Sequence, residues 1–266
     1  MQFLYLIQGK AANVRNYTVL NSDVSRIMGL TYDEPLDGFD YLPKSSFAQG
    51  RNHQYALAKE RLSEFDYFIF IDDDVVFRRG SFERMERNLA LDRPDIGVPV
   101  TEKTRSSVIG VELGRLIKPF LRKQRFHLND EQYLALSRRA IREELIFPLL
   151  EDWDETSWFV CCLIQENLIQ HYYHQTGRQF NDCEIVNEQH SGDYPHNLEF
   201  AREASQEWLR KNHPELGKPV AFYPALFSLS PSPAQLVSNA ARSVSALVRG
   251  NPATRQVRNL VQSFKE

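Results

Sequence analysis

The 266-residue chain is poor in cysteine, in net charge and in long apolar runs, and each scarcity closes off a class of proteins. Its three cysteines, Cys161, Cys162 and Cys183, are odd in number and lack zinc-like spacing. Adjacent Cys161 and Cys162 rarely bridge, so reduced thiols in a cytoplasmic protein are expected rather than a disulfide scaffold. A net charge of −3 gives no global footprint for nucleic acid, and none is expected as a partner. No apolar run approaches the roughly 18 residues that suggest a membrane span. No secretory signal is evident, since the strand-like FLYLI starts at Phe3 without a basic segment before it. Repeats and low-complexity tracts are missing too. What the chain does have is 42% apolar residues, enough for a full core in one large α/β domain, alone or with a tail.

The organising stretch is Phe68 to Phe77, FIFIDDDVVF. Its unbroken apolar run reads as a strand buried on both faces, which brings Asp72, Asp73 and Asp74 out together at its C-terminal end. That edge of an open α/β sheet is where ligands bind. Crowded carboxylates raise one another's pKa, so a cation is expected among them. On an extended backbone Asp72 and Asp74 point one way and Asp73 the other, making Asp72 and Asp74 the natural hard-oxygen pair for Mg2+ or Mn2+. The plain alternative is a solvated acidic turn between strand and helix.

Upstream, Phe3 to Ile7 reads as a first strand, with Gln8, Gly9 and Lys10 as the loop at its end, and the polar stretch Asn13 to Val24 as a short helix. Ile27 to Tyr32 reads as a second strand leading into Asp33-Glu34-Pro35, which either accepts hydrogen bonds from a base or ribose or makes a Pro-bounded turn. In YLPKSSFAQGRNHQYALAKERL, Gly50 supplies a joint and Asn52 an N-cap for a helix with Tyr55, Leu57, Ala58 and Leu62 facing inward. Arg51 at that helix start either suits a phosphate or is a surface arginine beside a cap. Strand, loop, helix and strand in this order build a parallel sheet.

Gly50-Arg51-Asn52, the helix after it and the strand ending in Asp-Asp-Asp-Val resemble the nucleotide-sugar half of GT-A-fold glycosyltransferases, whose Asp-x-Asp motif matches the strand end. The resemblance covers residues 1–100. It implies an α/β, Rossmann-like, mostly parallel sheet flanked by helices over residues 1–227, with a nucleotide-sugar half (1–100) and an acceptor half (101–227). It further implies Mn2+ or Mg2+ bridging the phosphates of a nucleoside-diphosphate sugar. Asp74 would be the firmest metal ligand and Asp72 would face the sugar or ribose. Gln8, Asp33, Arg51 and Asp73 would lie near the donor, Asp33 near the base. In this family a histidine after a late strand completes the metal site. His190, after the candidate strand Cys183 to Val186, holds a similar place, with His196 in reserve. The acceptor would be a glycan, a lipid-linked group or another hydroxyl.

Further along, Arg79 and Gly80 turn the chain and Ser81 caps a helix reaching Leu91. IGVPV at 96–100 is another strand, and the basic segment Thr101 to Asn129 is either a mobile loop or a solvated face. YLALS and RRAIREEL read as strand then helix or as one helix, the resemblance favouring the first. Glu151-Asp152-Trp153-Asp154-Glu155 opens a candidate helix running through Trp158, Cys161, Cys162 and Ile169. A partly buried acid there could take the proton from an acceptor hydroxyl; Asp154 and Glu155 adjoin the helix start and come first, then Asp152. The helix dipole alone also favours acids there. His171 and His174 are given a surface or packing role. Leu198 to Leu209 reads as an amphipathic helix and Val220 to Leu226 as a short element. SLSPSPAQ is a linker, and residues 228–266 form a linker and basic, amphipathic helical tail. The tail would lie on an anionic membrane, on a partner protein or on the chain's own core, so the location expected is cytoplasmic, peripheral to the inner face of the membrane.

The activity that follows is transfer of a sugar to a hydroxyl, with inversion. Two alternatives stand beside it. Asp72-x-Asp74-x-Val76 also matches haloacid-dehalogenase-type phosphohydrolases, with Asp72 as nucleophile and Asp74 as acid/base. The chain could also be a non-catalytic module binding sugar nucleotide or glycan.

Overall fold

The computed structural model describes residues 1–101, 131–187 and 197–216, and the backbone of 123–124. Nine strands among them form one sheet: β1 (Phe3–Gly9), β2 (Ser25–Thr31), β3 (Asp40–Tyr41), β4 (Tyr67–Asp72), β5 (Val75–Arg79), β6 (Ile96–Val100), β7 (Lys123–Gln124), β8 (Tyr133–Ser137) and β9 (Arg178–Asn187). Their order is β3-β2-β1-β4-β8-β6-β9-β5, with β7 on β9. The expected parallel sheet is present across β3, β2, β1 and β4. Beyond β4 the sheet is mixed, because β8 returns antiparallel to both β4 and β6 while β6 and β9 run parallel.

Residue parity decides which face each side chain serves, as the two-residue strand period requires. On β1, Leu4 and Leu6 enter one core while Phe3, Tyr5 and Ile7 enter the other. On β4, Phe68 and Phe70 join the first and Tyr67, Ile69 and Ile71 the second. The first face is covered by α2 (Phe47–Glu60), α4 (Arg138–Glu143), α5 (Phe159–Tyr173) and α6 (Leu198–Asn212), whose Phe47, Ile141, Ile164 and Leu209 belong to its cluster. The second is covered by α1 (Ala11–Val14), the 3-10 turn Arg15–Leu20 and α3 (Phe82–Asp92), through Val14, Tyr17, Met85 and Leu89. Each such large side chain removed from water stabilises the fold by about 1.5–3 kcal/mol. A sheet buried on both faces explains why β1 and β4 read as unbroken apolar runs.

Several boundaries differ from expectation. Gln8 and Gly9 belong to β1, where they pair with Leu30 and Thr31 of β2. The polar stretch after Lys10 is one short helical turn followed by a 3-10 turn. Helix α2 starts at Phe47 and not at Asn52, because Ser46 and Gln49 form a complete capping box. Ser46 Oγ accepts from Gln49 N at 3.1 Å, and Gln49 Oε1 accepts from Ser46 N at 3.1 Å. The acidic segment does not open a helix: residues 152–156 form successive turns, and α5 begins only at Phe159. By contrast, strand then helix holds for residues 133–143, and Ser81 caps α3 as expected, while Ser137 caps α4.

The three cysteines are free and buried. Among the described residues, no helix is long and apolar enough to cross a membrane. The basic segment's side chains, His190, His196, Val220 to Leu226 and the 228–266 tail lie outside the described residues.

Candidate functional site

Parity also governs what happens where β4 ends. Asp72 follows Phe68 and Phe70 on the α2 face, and Arg51 of α2 meets it: Nη2 donates to Asp72 Oδ1. The Arg51 side chain is 2% exposed, and its Nη1 also donates to the Ile71 carbonyl and Gln54 Oε1, both at 3.2 Å. Arg51 is therefore not the solvent-facing cation at a helix start that the sequence suggested. It lies within α2 and spends its charge on Asp72. Gln8 has the same parity on β1, and its Nε2 donates to the Ser46 carbonyl at 3.3 Å and the Phe47 carbonyl at 3.5 Å. The approach is so close that a Cβ at Gly50 would lie 2.3 Å from that nitrogen, which gives Gly50 a packing reason where a flexible joint was expected.

Asp73 falls on the opposite face. Its Oδ2 accepts from Lys10 N at 2.7 Å and from Asn13 Nδ2 at 3.0 Å. Burial raises its carboxyl above the usual range, and these two donors pull the other way. Gly9 makes room for it, since a Cβ there would lie 2.0 Å from Asp73 Cγ. The strand alternation stops at Asp72, because residues 73 and 74 form a turn. Asp74 consequently does not share a side with Asp72 as expected. With Asp73, Asn13, Asn16 and Tyr17 it lines a cleft of about 230 Å³. Tyr17 ties the turn at both ends, its hydroxyl donating to the Asp72 carbonyl at 3.2 Å and the Val75 carbonyl at 3.1 Å. Asp33, exposed at the end of β2, accepts from Ala11 N at 2.9 Å, so the segments after β1 and β2 are latched together.

Helix α2 has a second set of partners. Asn52 Oδ1 accepts from Leu149 N at 2.6 Å, while its Nδ2 donates to the Leu149 carbonyl at 2.8 Å and to Glu151 Oε1 at 2.7 Å. Ser46 Oγ is hydrogen-bonded to Asp154 Oδ2. These contacts bring the acidic segment onto the helix that carries Arg51. Of its acids, Glu151, Asp152 and Glu155 are exposed and Asp154 is half-buried. Burial raises the Asp154 carboxyl, with Glu151 and Asp152 adding to the effect and Ser46 opposing it.

The structure thus brings Gln8, Arg51 and Asp72 together on one side of β4, and Asp73 and Asp74 together on the other. Asp154 joins the first group through α2, while Glu155 and Asp152 face water. Sequence reasoning missed Ser46, Asn13 and Tyr17. Ser46-x-x-Gln49 was a readable signal, being a capping-box pattern ahead of a helix. Among the described residues no three His, Cys, Asp or Glu side chains converge as a metal cage. Magnesium commonly uses only one or two carboxylates and completes its shell with substrate phosphates and water. Asp74, which lines the cleft, is a carboxylate of the kind that mode uses.

No protein-family model matches the chain, and no curated protein does. Among solved structures it is similar to S. aureus TarS in complex with UDP-GlcNAc, at 9% identity and a TM-score of 0.45, covering 92% of this chain and 81% of that one. It is also similar to glucosyl-3-phosphoglycerate synthase from Mycobacterium tuberculosis in complex with Mg2+ and UDP, at 11% identity and a TM-score of 0.43, covering 83% and 81%.

Proposed function

We propose that the chain is a metal-dependent glycosyltransferase of GT-A type that moves a sugar from a nucleoside-diphosphate sugar to an acceptor hydroxyl, with inversion. The observation that carries this reading is that one helix holds a carboxylate from each half of the chain, Asp72 through Arg51 and Asp154 through Ser46. Ser46 and Arg51 are five residues apart, about 7.5 Å along a helix axis. Donor-side and acceptor-side acids thereby share one rigid mount at the sheet edge where α/β folds bind ligands.

Gln8 and Asp33 would flank the donor from the ends of β1 and β2, with the exposed Asp33 taking the base or ribose. Asp73 keeps the Lys10 segment in place. Asp74 is the carboxylate that would hold a divalent cation, which when bound offsets the charge developing on the departing diphosphate. Asp154, made more basic by burial, takes the acceptor's hydroxyl proton. His190 remains the proposed histidine ligand beside Asp74. The phosphohydrolase alternative requires Asp72 to attack as a nucleophile, a role disfavoured by the Arg51 guanidinium on its carboxylate.

The test is a panel of nucleoside-diphosphate sugars with Mn2+ or Mg2+, read as release of the nucleoside diphosphate. Turnover of a donor, lost in Asp154→Asn while nucleotide binding persists, is the expected result. Turnover of a generic phosphate ester that disappears in Asp72→Asn, with every sugar donor inert, would instead establish the phosphohydrolase.

A further inference from the structure

Ser46 does two things with one hydroxyl. Its oxygen accepts the Gln49 N–H, and the Gln49 side chain answers on the Ser46 N–H, so the cap of α2 is closed without using the hydroxyl proton. A serine hydroxyl has one proton to give and two lone pairs to receive with. The proton is left for Asp154 Oδ2, which as a carboxylate can only accept. Behind it, Asn52 binds both backbone groups of Leu149 and the Glu151 carboxylate, so the acidic segment is held at two points about 1.7 turns apart on the same helix.

We propose that Ser46 is a positioning residue for the acceptor-side acid: its hydroxyl aims and holds the Asp154 carboxylate, while the Asn52 amide fixes the segment from which that carboxylate projects. Calling Asp154 the base rests on the transferase reading above; the hydrogen bond and its effect on Asp154 do not. The groups acting on Asp154 are Glu151 and Asp152 on its own segment, which raise its proton affinity as burial does, and Ser46 from α2, which lowers it. Without the Ser46 proton, burial and two neighbouring acids act unopposed. The Asp154 carboxyl then titrates higher still and is no longer aimed by a partner on α2, so both its titration and its placement change.

The experiment compares Ser46→Gly with Ser46→Thr. Glycine is tolerated at helix caps but has no hydroxyl, whereas threonine keeps both cap and proton. The Asp154 carboxyl is titrated by 13C NMR in the whole chain, without substrate. The expected result is a midpoint displaced to higher pH in Ser46→Gly and unchanged in Ser46→Thr. On a sugar donor and acceptor, Ser46→Gly should lower kcat roughly tenfold or more and move the acid limb of the rate profile up in pH while leaving the donor KM unchanged, with Ser46→Thr restoring the first two. Identical Asp154 titrations in Ser46→Gly and the unchanged chain would overturn the proposal. A chain that transfers no sugar, yet shows the displaced titration, would sink the transferase reading alone. Hydrogen exchange at the Leu149 amide reads the second pin: it should quicken in Asn52→Ala, and an unchanged rate would overturn that part.

Discussion

A Cβ placed on Gly50 would collide with the Gln8 side chain, whose nitrogen is engaged with the first turn of α2. Gly50→Ala should therefore cost about 1–3 kcal/mol, the range for overpacking a filled interior, despite alanine's better helix propensity. Urea unfolding checks it, and adding Gln8→Ala should recover part of the loss because the collision is with that side chain. Arg51→Ala leaves the part-exposed Asp72 carboxylate without its guanidinium partner and should cost about 1–3 kcal/mol. Arg51→Lys should not restore it, since an ammonium cannot reach Asp72, Ile71 and Gln54 together as the planar fork does. At this scale the opposite facing of Asp72 and Asp73 was legible, because it follows from strand period alone. The departure of Asp74 was not, since nothing in three identical residues marks where the strand stops. The bond between Ser46 and Asp154 was also hidden, its partners being 108 residues apart.

Among the elements, α3 is tied to β1 by Tyr5, whose hydroxyl donates to Glu86 Oε1 at 2.9 Å. Burial raises the Glu86 carboxyl, and the nearby Glu83 raises it further while Tyr5 opposes. A folded-state value above the unfolded one means that Glu86 favours the folded chain while protonated. That contribution is complete below the unfolded carboxylate value and lost as pH rises through the folded one. Glu86→Gln stays neutral and keeps an oxygen for Tyr5. Its melting temperature should exceed that of the unchanged chain at pH 7, and the two should converge below about pH 4. A gap that widens on acidification would contradict this. Helix existence was readable here, as was the Ser81 cap, but the start of α2 was not: Asn52 is a good capping type, yet its amide serves Leu149 and Glu151, while Ser46 caps. The acids before α5 likewise looked like a helix start by composition, but Thr156 N and Ser157 N close turns on the Trp153 carbonyl first.

Taken whole, the molecule gathers two groups of polar side chains on the two faces of one sheet. The α2 face gathers Gln8, Arg51, Asp72 and the acidic segment, and the α1 face gathers Asp73, Asp74 and the cleft. The α/β class and the parallel half of the sheet were legible from apolar runs separated by helical patterns. The antiparallel return of β8 was not, since pairing direction depends on contacts far apart in sequence. The central claim is that this edge binds a nucleoside diphosphate through a divalent cation held by Asp74. The most direct test is the melting temperature of the chain with UDP or GDP, with and without Mn2+ or Mg2+, alongside Asp74→Ala. A nucleotide in hundredfold excess over its dissociation constant adds about 2.7 kcal/mol of stability. The expected result is a rise that requires both nucleotide and metal and vanishes in Asp74→Ala; melting that ignores every such combination, or a rise that survives the substitution, would rule out a cation held by Asp74.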